Sequence, residues 1–290
     1  MRRLTKPNLT QAAAYVACVQ GIGDDNVRAR FNAIAQQVDQ NELVYDQLAS
    51  TGHLYQWVSH ARGENHVAAL GHVTRGEFKQ LYKSHMARAG KPARPIYDQI
   101  RMSAPNNICP YCGFGSVETV DHFLPKGRYS PLSVLPLNLV PACRDCNGGK
   151  LDSVLAAANV HSHPYYERQC VFDDEWLYAS IVKTQIPYVE FVSVEPATWP
   201  ADVSHRVANH FQEFDLPRRF AIQASERLVY FANVIQGMRV DGAEGMVAVT
   251  LQQQAQAECV AHGVNSWQSA LAKAVANDAW FRDAGYAQLL

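Results

Sequence analysis

The chain has 290 residues, of which 48% are hydrophobic and 18% charged, ordinary proportions for a globular protein long enough to bury a sizeable core. No stretch is apolar over the eighteen or more residues a membrane helix needs, and the N-terminal MRRLTKPNLTQAA has basic residues without an apolar run behind them. A spanning helix and a signal peptide are therefore not expected, and the sequence predicts a cytoplasmic protein.

The net charge of −1 conceals an asymmetry. Residues 1–150 carry 17 Lys/Arg against 11 Asp/Glu, whereas residues 151–290 carry 9 against 16. A basic half joined to an acidic half fits a polyanion bound on one side, and it fits equally two ordinary solvated faces.

In chain order, residues 1–104 read as a helical, partly basic region. LTQAAAYVACVQ and VRARFNAIAQQVDQNELVYDQLAS place apolar residues at helical spacing. TRGEFKQLYKSHMAR opens with Thr74 and Glu77 at the spacing of a capping box, and AGKPARP then breaks the helix. Arg75, Lys79, Lys83, Arg88, Lys91, Arg94 and Arg101 make this segment basic. It reads either as a track for phosphates or as an exposed helix face.

Residues 105–165 change character, becoming rich in Pro, Gly and Cys, with strand-like VETVDHFLP and LNLVPAC. From residue 166 onward the chain is acidic and mostly helical. One alternating stretch, IPYVEFVSVEP, reads as a strand, and helices are expected near 202–214, 218–238 and 265–280. The fold class is thus α+β and mostly helical.

Four of the seven cysteines form two pairs, Cys109-Pro-Tyr-Cys112 and Cys143-Arg-Asp-Cys146. In a cytoplasmic chain such pairs point to metal rather than disulfides, and four thiolates are what a closed tetrahedral zinc site takes. If the two strand-like segments pair as a hairpin, Cys112 and Cys143 meet at its open end and zinc staples its base. Cys18, Cys170 and Cys259 stand alone and read as small hydrophobes.

Between and after the pairs lie Asp121, His122, Lys126, Asn138, Asn147 and Lys150. Asp121 and His122 are adjacent, so they share a face only if the strand bends there, and Pro125 and Gly127 make a bend plausible. A zinc staple would bring Asn147, at the start of an expected helix GKLDSVLAAANV, near Asp121. Their hard oxygens suit Mg²⁺ or Mn²⁺, and a neutral His122 could accept a proton from water. His161 and His163, at i and i+2 without an acidic neighbour, read as surface or packing residues.

The run CPYCG…VDHFLPK…LNLVPACRDCNGGK resembles the HNH endonucleases, the ββα-metal nuclease class, over about forty residues. The resemblance implies that His122 is the general base and that Asp121 binds a catalytic Mg²⁺ or Mn²⁺. It further implies that Asn138 pins the loop between the strands, and that Asn147, where many members have His, completes the ion site. The zinc-bearing subset of the class carries cysteine pairs such as Cys109, Cys112, Cys143 and Cys146.

DNA would be the substrate, with Lys126, Arg128 and Lys150 near its phosphates. The flanking LYKSHMARAGKPARPIYDQI and SHRVANHFQEFDL resemble stand-alone nuclease subunits of Septu- and Zorya-type antiphage systems. That resemblance implies a role in defence and an ATPase-type partner docking on the acidic C-terminal region. The rival expectation is a zinc-stapled nucleic-acid-binding or adaptor module without catalysis.

Overall fold

The computed structural model describes residues 1–150 and 154–290. It is an α+β protein that divides into two compact units, residues 2–167 and residues 168–290.

In the first unit, α1 (Gln11–Gln20), α2 (Asp25–Ala33) and α3 (Ala35–Ser50) precede a short antiparallel pair, β1 (Ala68–Leu70) and β2 (Val73–Thr74). Thr10 caps α1 through Ala13 N, and Asp24 caps α2. The continuous helix expected over 27–50 is instead two helices meeting at Ile34.

The capping box at Thr74 and Glu77 is formed, and it opens α4 (Arg75–Gln80). Such a cap contributes about 1 kcal/mol and fixes where the helix starts. The helix then widens into a π turn over Leu81–Met86, which swings Tyr82 inward to 8% exposure. After the Gly90–Pro92 break, α5 (Arg94–Arg101) begins with Pro95 in its first turn, where a missing N–H costs nothing.

Next come β3 (Thr119–His122) and β4 (Leu139–Ala142), antiparallel, with Thr119 opposite Ala142 and His122 opposite Leu139. The short helix α6 (Arg144–Gly149) follows β4 directly. A core cluster joins helices and hairpin: Tyr15, Phe31, Val38 and Phe78 from the helices pack with Val120, Val134 and Leu139.

The helix expected over 149–160 is corrected. Cys143 caps the chain inside the second cysteine pair, accepting from Cys146 N, so the helix starts at Arg144 and ends at Gly148-Gly149, which favour termination. Residues 151–153 of the expected helix lie outside the described residues, and 154–160 are irregular or turn.

The second unit opens with α7 (Cys170–Asp173) and the hairpin β5 (Leu177–Val182) and β6 (Tyr188–Ser193). Four longer helices follow, α8 (Ala201–Glu213), α9 (Leu216–Val240), α10 (Val247–His262) and α11 (Trp267–Asn277), and then the short α12 (Ala279–Asp283). Val189 and Phe191 point inward from β6, and Phe191 meets Phe220 of α9 edge to face. Among the described residues, no helix is long and apolar enough to cross a membrane.

Candidate active site and metal centre

The two cysteine pairs converge. The sulfurs of Cys109, Cys112, Cys143 and Cys146 all lie within 4.8 Å of one another, and all four residues are buried. The local backbone explains how. Gly113 turns the first pair with φ +78°, a conformation a side chain disfavours. Gly113 N then donates to the Cys109 carbonyl, Cys109 N to the Gly115 carbonyl and Gly115 N to Cys112 Sγ. A Cβ at Gly115 would come within 2.9 Å of Cys143 Sγ, so only glycine allows the pairs to meet this closely. On the other side Cys146 N donates to Cys143 Sγ. Four buried soft donors with amide hydrogen bonds to the sulfurs fit a closed structural zinc.

The hairpin carries the other residues into a cleft of about 280 Å³ lined by Lys79, Asp121, His122, Pro125, Lys126, Gly127, Asn147 and Lys150. Asp121 and His122, neighbours on β3, both reach it because the strand ends at His122 and the chain bends at Phe123 and Leu124.

The His122 ring is buried, with Nε2 donating to the Ser133 carbonyl at 2.9 Å. A carbonyl can only accept, so Nε2 carries the proton and Nδ1 is left as the basic nitrogen. Burial, reinforced by Lys126 and Lys150, holds this imidazole well below its ordinary pKa and therefore neutral. Tyr82 stands against it edge-on at 4.4 Å and is itself tied to the Val120 carbonyl.

The Asp121 carboxylate is held through one oxygen. Its Oδ2 accepts from Tyr111 Oη at 3.0 Å and from Lys150 Nζ at 2.9 Å. Burial and this carboxylate raise the Tyr111 phenol well above its ordinary pKa, so it remains a donor.

Asn138 is fully buried and ties the loop shut. Its Oδ1 accepts from Leu124 N at 2.7 Å and Tyr45 Oη at 3.1 Å, and its Nδ2 donates to the Leu124 and Leu132 carbonyls. Asn147 reaches back from α6, Nδ2 donating to Thr119 Oγ1 at 3.0 Å, so its Oδ1 is the atom it can offer a cation. With Asp121, that gives two hard oxygens at one cleft, a donor set suited to Mg²⁺ or Mn²⁺.

The expected phosphate-binding residues divide. Lys126 lines the cleft, its Nζ 5.3 Å from the Tyr82 ring centre, and Lys79 from the basic run joins it. Lys150 is committed inward: its Nζ donates to Asp121 and to the His122 and Phe123 carbonyls, the last two both at 2.7 Å. Arg128 bonds the His60 carbonyl and does not line the cleft. Within the basic run, Arg75 is paired with Glu64, and Arg94 and Arg101 with Asp98.

Protein ea31 of Escherichia phage lambda is 33% identical to this chain over 231 residues, covering 79% of the chain and 78% of that protein. The chain belongs to the Ea31 family. No protein-family model matches it, and no solved structure does.

In this member of the Ea31 family, several side chains that complete the site stand outside the motif. Tyr45 comes from α3, and Tyr82 from the π turn after α4. His163 packs within the site and supports it. The ring stacks on Phe123 at 4.0 Å, accepts from Tyr165 N at Nδ1, and meets Tyr45 Oη through Nε2 at 3.2 Å. His163 thereby braces the hydroxyl that supports Asn138. His161 stacks on the same Phe123 ring, at 4.6 Å. Tyr111 has the plainest signal in the sequence, since it sits inside the first cysteine pair.

Proposed function

We propose that the chain is a divalent-metal-dependent endonuclease of the HNH, or ββα-metal, class that hydrolyses DNA phosphodiester bonds, with a structural zinc held by its four clustered cysteines. One observation carries the reading. A buried, neutral His122, its Nε2 proton fixed on Ser133, shares one cleft with the oxygen donors of Asp121 and Asn147 and the ammonium groups of Lys79 and Lys126.

His122 Nδ1 takes the proton from an attacking water, a contribution of about 10²–10⁴-fold for general-base catalysis. Asp121 and Asn147 would hold a Mg²⁺ or Mn²⁺ ion, and the chemistry such an ion would supply there is neutralisation of charge on the phosphate. Lys126 and Lys79 draw the phosphate into the cleft. Asn138 keeps the loop that carries Ser133 in register with β3, and so keeps the base aimed.

DNA is the substrate proposed because Lys79 and Lys126 line an open cleft beside His122 and Asp121, where a phosphate backbone could lie. The relative is encoded by a phage, so an antiphage setting gains no support from it.

The test is cleavage of supercoiled plasmid with Mg²⁺ or Mn²⁺ by the wild type, His122→Ala and Asp121→Ala. Metal-dependent nicking or linearisation by the wild type alone supports the reading. Equal activity in all three, or none in the zinc-loaded wild type with either ion, overturns it.

A further inference from the structure

Tyr111 belongs to two arrangements at once. It lies between Cys109 and Cys112 in the chain, so the knuckle that brings the four sulfurs together also fixes its backbone. Its ring is fully buried and its hydroxyl ends 3.0 Å from Asp121 Oδ2.

That oxygen also takes Lys150 Nζ at 2.9 Å. Two donors on one oxygen occupy both of its lone-pair directions, which resists rotation about the terminal bond and disfavours an ion held through both oxygens. Oδ1 is left as the single atom Asp121 can present.

The two donors differ in where they come from. Lys150 follows α6 and grips two carbonyls of the bend after β3, which makes it part of the hairpin's own framework. Tyr111 comes from the cysteine cluster. Its hydroxyl stands where it does only while the knuckle keeps its shape.

We infer that Tyr111 is a positioning residue that couples the cysteine metal centre to the catalytic ion site, by orienting the Asp121 carboxylate for ligation through Oδ1. This rests on the nuclease reading, in which Asp121 is an ion ligand. Groups that orient a ligand from behind typically affect metal affinity by about 10–100-fold. Coupling between two binding sites is reciprocal, so an ion at Asp121 must also steady the cysteine centre.

Two measurements test it. In the first, Mn²⁺ binding to zinc-loaded protein is followed by electron paramagnetic resonance for the wild type, Tyr111→Phe and Asp121→Ala. Tyr111→Phe is expected to keep its zinc and its fold, checked by metal analysis and melting, yet to bind Mn²⁺ about tenfold or more weakly. A Tyr111→Phe protein that holds zinc and binds Mn²⁺ as the wild type does overturns the inference and leaves the nuclease reading standing. No Asp121-dependent Mn²⁺ binding in the wild type overturns both.

The second measurement needs no change at Tyr111 and so holds even if that variant fails to fold. Zinc release from the wild type to a chromogenic chelator should slow when Mg²⁺ is saturating, and Asp121→Ala should abolish the effect. Identical release with and without Mg²⁺, in a wild type shown to bind Mg²⁺ through Asp121, rules the coupling out.

Discussion

His122 and Ser133 are joined ring to backbone, the imidazole Nε2 2.9 Å from a carbonyl that can only accept. Ser133 is anchored in turn, its Oγ donating to the Phe78 carbonyl at 2.7 Å on α4. The orientation of the imidazole is thus set by a loop residue that a helix holds in place. Nitrogen-15 correlation spectra of the histidines should show His122 as the neutral Nε2–H tautomer with Nδ1 bare. The Nδ1–H tautomer at that position would remove the basis for the role of base proposed for it.

The cysteine cluster predicts a metal stoichiometry. Purified protein should contain about one zinc per chain, and Cys109→Ser or Cys146→Ser should lose it. Metal binding energy in such centres is folding energy, on the order of 10 kcal/mol in small zinc modules, although the shared core here offsets part of the loss. Those variants should melt many degrees lower or aggregate. Elemental analysis that found zinc-free, soluble and active wild type would contradict the reading of the cluster.

His163 supplies a pH dependence of stability. Burial, with Lys150 next in effect, holds its pKa well below the ordinary value. The folded chain therefore leaves this ring neutral, while the unfolded chain protonates it below about pH 6.5. The unfolded state binds the extra proton, so its contribution to stability is full above about pH 6.5 and is lost as the pH falls through the window down to the folded pKa. One such ring changes stability by up to about 1.4 kcal/mol per pH unit across that window. His163→Gln should melt with a shallower loss between about pH 6.5 and 5 than the wild type. Parallel melting curves would show that His163 does not titrate on unfolding.

The features legible ahead of the structure are those written locally in the chain. The cysteine pairs, the capping box at Thr74 and Glu77, and the strands flanking Asp121, His122 and Asn138 are all short-range patterns. What escapes depends on partners far along the chain. Tyr45 meets Asn138 across 93 positions, and no periodicity announces such a pair. Helix α10 escapes because its buried side chains, Val247, Leu251 and Ala255, form a single thin line among glutamines and alanines. Strand β5 escapes because Ala179, small and half-buried, blurs the alternation between Leu177 and Ile181. Lys150 reads as a phosphate ligand because it is a basic residue within the nuclease-like motif, whereas three acceptors draw it inward.

The inward and outward lysines should separate by experiment. Lys150 and Asp121 have side chains only 5% and 8% exposed, so their ion pair is shielded from water, and its removal strands a carboxylate and two carbonyls. Breaking a buried pair by deleting one partner typically costs about 3–5 kcal/mol. Lys150→Met should therefore lower the unfolding midpoint in denaturant markedly, and Asp121→Asn added to it should recover part of the loss, because the orphaned charge is then gone. Lys79 and Lys83 lie on the α4 and π-turn segment, Lys79 in the cleft wall and Lys83 exposed. Lys79→Glu with Lys83→Glu should change stability by no more than about 1 kcal/mol. The same pair should weaken DNA binding across all sequences and flatten the plot of log affinity against log salt by about one unit for each phosphate no longer neutralised. Lys150 acting as a phosphate ligand would give the opposite pattern: Lys150→Met would keep its stability and lose salt slope. Fluorescence anisotropy with a labelled duplex at several salt concentrations, run beside urea melts of the same proteins, distinguishes the two assignments.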